Sequence, residues 1–196
     1  MKTKIIFFSA ILFSLPTLSS AALECDGGEL VIVSGNVATN HISPSEQLGT
    51  IQLVLQENGD IKENHYGTNF KKGHKSETKI VFAGEGEIYG QIVAQENVST
   101  WLNHSITFDN GENALYTQND HAIALMPPLA FDEIIGACKF NVIEQVTNFD
   151  GVGIFAGATG YITAQGVVNF CPQDLANPPH NTFTLSGELC LIKHHH

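Results

Sequence analysis

Along much of this chain, apolar and polar residues alternate one for one. In the stretch GTIQLVLQENG, Ile51, Leu53 and Leu55 fall on one face of an extended backbone while Gln52 and Gln56 fall on the other. The same period of two runs through EIYGQIVAQ, with Ile88, Ile92 and Ala94 on one side and Gly90 between them. It returns in FTLSGEL, where Phe183, Leu185 and Leu189 share a face. Side chains alternate across a strand but return only every ~3.6 residues on a helix, so these segments read as strands. Further strands are expected at 29–37, 79–83, 105–108, 122–125, 139–147 and 161–170. Turn residues punctuate them: Glu57-Asn58-Gly59-Asp60 is a turn, Asp109-Asn110-Gly111 a hairpin signal, and Asn177-Pro178-Pro179 a loop. No segment has the pattern of a long amphipathic helix. Many short strands with turns between them point to a β-sandwich or a closed barrel.

The chain opens MKTKIIFFSAILFSLPTLSSAA: two lysines, a short apolar run, then small residues. That order is a secretory signal peptide, expected over residues 1–22 with cleavage near Ala21 or Ala22. Glu24 precedes Cys25, where a lipoprotein signal would need a small residue. Residues 23–193 then form one domain of 171 residues, large enough for a substantial core. His194 to His196 are set apart as a tail or tag remnant. No later run is long and apolar enough to span a bilayer, so no membrane insertion is expected and the location is secreted or periplasmic.

The chain has 9 basic residues against 20 acidic ones, and every basic residue is lysine. Nucleic-acid binding needs clustered cations, and bidentate phosphate recognition usually uses arginine, so a nucleic-acid partner is not expected. The segment Asn58 to Thr78 gathers Lys62, Lys71, Lys72 and Lys75 in a polar context. It reads as a mobile surface loop, with a basic lip beside a binding site as the functional alternative.

The segment FDGVGIFAGATGYITA carries glycines at 151, 153, 157 and 160. A phosphate-binding P-loop would place Lys after its last glycine, but Tyr161 follows Gly160. A dinucleotide fingerprint would space its last two glycines one residue closer. The following YITAQGVVNF alternates as a strand, so no helix N-terminus is present to receive an anion. Glycine here serves a corner, through positive φ angles and close backbone approach.

Gly151-Val-Gly153-Ile-Phe155-Ala-Gly157-Ala-Thr-Gly160, followed by an alternating strand, resembles the glycine-rich signature of the allene oxide cyclase-like barrels. These are similar in architecture to dirigent proteins. The resemblance implies a single closed antiparallel β-barrel of about eight strands, with the signature joining two late strands. The plant enzymes of this family cyclise an unstable fatty-acid epoxide, and dirigent proteins steer the coupling of phenoxy radicals. The signature is a turn in both, so it carries no catalytic residue across. Dirigent pockets also use arginine, which this chain lacks.

Cys25, Cys138, Cys171 and Cys190 make an even set in an exported chain, which points to two disulfides, and no CxxC pair supports a metal or redox motif. If 139–147 and 161–170 form the hairpin around the glycine turn, pairing Asn148 with Tyr161 sets Cys138 opposite Cys171. That register puts Ile162, Ala164, Val168 and Phe170 outside while Phe140, Val142 and Val146 face in; a β-bulge shifting it by one would reconcile the faces. The expected pairs are Cys138–Cys171 and, since first and last strands meet in a closed barrel, Cys25–Cys190.

Glu144 shares the face of Phe140, Val142 and Val146. A carboxylate on an apolar barrel face would have a raised pKa, which makes Glu144 the candidate acid or base. Trp101 and His121 are the candidate ligand contacts. His41, His65, His74, His104, His121 and His180 show no HxH or HExxH spacing, so no metal and no cofactor is expected. No G-x-S-x-G elbow is present. The leading expectation is a non-enzymatic exported barrel binding a small apolar ligand or a protein partner. Its alternatives are an isomerase or cyclase acting on a lipid-derived or phenolic substrate, as the resemblance implies, and an interaction barrel with a filled lumen. A homo-oligomer, trimer or dimer, is the expected assembly.

Overall fold

The computed structural model describes residues 25, 27–57 and 79–192. The expected signal peptide, Lys62, Lys71, Lys72, Lys75, His65, His74 and the histidine tail lie outside the described residues. Nine strands follow in order: β1 Gly28–Ser43, β2 Glu46–Glu57, β3 Ile80–Glu96, β4 Ser99–Phe108, β5 Asn113–Asp132, β6 Gly136–Val146, β7 Phe149–Val152, β8 Thr159–Asn169 and β9 Asn181–Ile192. All pairings are antiparallel. The ring runs β1-β2-β3-β4-β5-β6-β8-β9 and closes where β9 returns to β1. Short β7 continues the path of β6, since both pair with β5 at different heights. The chain is therefore a closed antiparallel barrel of eight staves, the fold that the resemblance implied. No helix among the described residues is long and apolar enough to cross a membrane.

The alternation places Ile51, Leu53 and Leu55 inward and buried, and Ile88 joins them. Ala94 departs from expectation. The β3–β4 register shifts between Ile92 and Ala94, which reverses inside and outside; Ala94 is exposed and Gln95 borders the lumen instead. Two strands expected at 79–83 and 87–95 are one continuous β3. β5 runs far beyond the expected 122–125 because local irregularities hide its alternation from the sequence.

The β6–β8 ladder corrects the expected hairpin. Val146 pairs with Ile162 and Lys139 with Asn169, one residue away from the register that sets Asn148 against Tyr161. Phe140, Val142, Glu144 and Val146 then share the inner face with Ile162, Ala164 and Val168, and the ladder needs no bulge. Phe170 takes the place opposite Cys138, its N–H donating to the Cys138 carbonyl at 2.9 Å. Cys171, just past the strand end, still reaches Cys138 with Cα atoms 4.8 Å apart. The second disulfide joins Cys25, ahead of β1, to Cys190 on β9.

The two barrel ends differ. At one end Phe82, Phe108 and Phe155 meet with ring centroids 5.3–5.8 Å apart, packed with Val31, Val33 and Leu189 into the main core. The glycine run lies here. Gly153, Gly157 and Gly160 take φ values of +65°, +69° and +135°, and a Cβ on Gly160 would lie 2.2 Å from the Glu188 carbonyl. The corner turns tightly enough to drop Phe155, fully buried, into the barrel end. At the opposite end the hairpin turns leave the barrel open.

Candidate functional site

Above the core the lumen opens into a cavity of about 1110 Å³. Its floor is the upper surface of the core, with Ile51, Leu53, Ile106 and Leu115 belonging to both. Its mouth is rimmed by Ile42, Val98, Met126, Ile135 and Leu175, all partly in solvent. The alternative of a filled lumen is not what the described residues form: their side chains fill the closed end, while the inner residues of the open half include small ones such as Ala122, Ala124 and Ala164.

Into this apolar wall the fold sets one charged cluster, drawn from three adjacent staves: His104 on β4, Thr117 and Asp120 on β5, and Glu144 on β6. His104 occupies the inner stripe Leu102, His104, Ile106 and Phe108. Asp120 arrives there through a β-bulge. The β4–β5 pairing steps from His104↔Thr117 to Leu102↔Asp120, with Gln118 and Asn119 set against Asn103 alone. Asn119 absorbs the extra residue at φ +57°, a left-handed conformation that asparagine tolerates. Its N–H donates to the Asn103 side-chain oxygen at 2.9 Å. Without the bulge Thr117 and Asp120 would face opposite sides; with it both turn inward, Thr117 onto the cavity wall and Asp120 buried beside it.

His104 Nδ1 donates to Asp120 Oδ2 at 2.8 Å and stands 3.5 Å from Glu144 Oε1. Thr117 Oγ1 donates to Asp120 Oδ2 and accepts from the His104 backbone N–H at 3.1 Å. The His104 ring lies across Gly90, where an added Cβ would come within 3.0 Å of the imidazole. That glycine is thus the seat of the ring. Asp120 and Glu144 are 1% and 7% exposed, and each keeps one carboxylate oxygen, Oδ1 and Oε1, without a hydrogen-bond partner among the described residues.

Burial pushes the Glu144 carboxyl above its usual range; Asp120 adds to this and His104 opposes it. Burial works against a charged His104, but Glu144 and Asp120 together overcome it and hold the imidazole protonated above its ordinary midpoint. A group whose pKa is raised by folding adds stability below its unfolded midpoint and loses it as pH climbs through the folded one. In metal-free protein the His104 contribution is therefore complete below pH 6.5, the reference value, and fades above it. Glu144→Gln removes the stronger of the two charge–charge attractions. The His104 imidazole resonance, followed by NMR, is expected to titrate at lower pH in this variant, and the stability lost above pH 6.5 to be correspondingly smaller. An unchanged midpoint would mean that Glu144 does not act on His104.

A second polar knot braces the wall nearer the mouth. Asn181, fully buried, donates to Thr39 Oγ1 at 3.0 Å and Gln47 Oε1 at 2.9 Å and accepts from the Asn169 N–H. His41 stacks on His180 at 5.8 Å, and burial followed by the neighbouring imidazole lowers its pKa.

Glu144 is thus brought to the lumen. Trp101 and His121 are not: they stack on each other at 5.1 Å on the outer face, while their neighbours Thr100, Leu102 and Ala122 line the cavity. The alternation of β4 and the bulge in β5 turn both away from this lumen. The residues that sequence reasoning passed over are His104, as a site residue, and Asp120. The signal for His104 was its place on an apolar stripe of period two; Asp120 had only the Asn119-Asp120 pair to mark the bulge.

No family model matches the chain, and no curated protein matches it. Among solved structures, the pterocarpan synthase dirigent protein GePTS1 aligns at 12% identity, covering 92% of this chain and 99% of that one, with a TM-score of 0.42.

Proposed function

We propose that this protein is an exported barrel that binds one small, largely apolar molecule carrying a hydrogen-bonding group. The observation that carries the reading is the cavity itself: largely apolar walls, a wide mouth, and a charged cluster set into the side. Ligand sites commonly combine such a shape with a few convergent polar groups. The apolar body of the ligand contacts the walls, and its polar group meets Glu144 and His104. The N-terminal sequence and two disulfides support export.

A second reading rests on one feature of the cluster. The Glu144 carboxyl reaches the lumen beside an imidazole, which suits proton transfer to or from a bound molecule. On that reading the barrel is an isomerase or cyclase, and Glu144→Gln would abolish turnover while leaving ligand affinity within a few-fold.

Ala164 faces the lumen across from Glu144 on the neighbouring stave. Ala164→Phe is expected to fill part of the cavity and weaken binding of the apolar dye N-phenylnaphthylamine at least tenfold. Since the added ring enters open space, stability should change by less than about 1.5 kcal/mol. Equal dye binding by a folded Ala164→Phe protein would refute lumen binding.

A further inference from the structure

We propose that His104, Asp120 and Glu144 hold a divalent transition-metal ion in the wall of the lumen. One nitrogen and two carboxylates form a ligand set suited to zinc, manganese or ferrous iron, whereas calcium and magnesium favour oxygen alone. The three side chains offer ligand atoms that all lie within 4.8 Å of one another. His104 Nδ1 is 2.8 Å from Asp120 Oδ2 and 3.5 Å from Glu144 Oε1. An ion with bonds of about 2.0–2.2 Å holds neighbouring ligand atoms roughly 3 Å apart, so only small side-chain movements are needed.

Charge and hydrogen bonding favour the same occupant. Two carboxylates stand in an apolar wall against one imidazole, and among the described residues each has a buried oxygen without a hydrogen-bond partner, Glu144 Oε1 having only the imidazole 3.5 Å away. Buried carboxylates are costly unless paired or bound to a metal. A doubly charged cation with both carboxylates ionised and His104 neutral makes the site formally neutral. The surroundings supply what a metal site needs around its ligands: Thr117 fixes the Asp120 carboxylate, and Gly90 seats the His104 ring. Three ligands on one wall leave the lumen side of the ion to an oxygen of the bound molecule. The proposal goes beyond ligand binding and stands independently of it, since the ligand atoms converge whether or not the lumen is filled.

The histidine tail could itself bind metal, so the test uses the full chain with His194→Ser, His195→Ser and His196→Ser. After treatment with a chelator, this protein is titrated with cobalt(II) and followed by its visible absorption, then back-titrated with zinc. The expected result is saturation at one equivalent, displacement by zinc, and a rise in melting temperature with either metal. Glu144→Gln and, separately, His104→Asn are expected to lose at least about tenfold in affinity. Asp120→Asn serves in place of either variant that lacks native near-ultraviolet circular dichroism. Absence of saturable binding in the serine-tailed protein, or undiminished affinity in a folded Glu144→Gln variant, would overturn the proposal. Dye binding by the chelator-treated protein reads the lumen separately, so failure of the metal site and failure of the ligand site give different results.

Discussion

Phe155→Ala is expected to lower the unfolding free energy by about 3–5 kcal/mol, the usual cost of deleting a fully buried aromatic ring. Phe155 is 0% exposed and touches both other rings at the closed end, with centroids 5.8 Å from Phe82 and 5.7 Å from Phe108. It reaches them because the glycine corner folds it under the barrel, so its loss opens a hole between Phe82 and Phe108. Phe183→Ala supplies the contrast. That ring borders the cavity and is only partly buried, so its removal enlarges an existing space and should cost less than half as much. Urea denaturation of both variants checks this, and equal losses would show that the closed end is packed no more tightly than the open one.

The second large effect concerns the two cross-links. Replacing Cys25 and Cys190 together with alanine is expected to cost about 4–5 kcal/mol, and replacing Cys138 and Cys171 about 3–4 kcal/mol, on the loop-entropy account of disulfides. The difference follows from sequence separation, 165 residues against 33. The longer link ties the two chain ends beside the β1–β9 ladder that closes the ring, where Gly28 pairs with Ile192. Chemical denaturation of each double variant measures the costs. A larger loss for the Cys138 and Cys171 pair would mean that packing around these fully buried sulfurs, rather than restriction of the unfolded chain, dominates.

Much of the barrel can be read from the chain because unbulged strands keep strict parity. Ile51, Leu53 and Leu55, or Phe183, Leu185 and Leu189, declare their face without help from the rest of the molecule. Parity fails where one residue is inserted. The shift beside Val93 turned Ala94 outward, and the bulge at Asn119 brought Asp120 inward, and nothing in local composition distinguishes either from ordinary alternation. The β6–β8 register was ambiguous for a related reason: the positions facing one another depend on how many residues the corner consumes. Matching the apolar faces, rather than opposing the cysteines, is what the structure satisfies. Glu144 could be singled out because β6 is regular, but its partners lie on other staves, one of them beyond a bulge. A cluster assembled that way has no linear spacing to recognise.

If the lumen takes a guest as proposed, its packed lower end also governs traffic. A vessel with a single opening fills and empties by the same route, so a molecule can leave only by retracing its arrival. A second guest then waits until the first has gone. On the proposed reading the rim residues Ile42, Val98, Met126, Ile135 and Leu175 set the barrier a guest crosses in both directions, while the contacts below set how deeply it is held. Substitutions there should alter how quickly a guest arrives and departs by similar factors, leaving its equilibrium occupancy nearly unchanged.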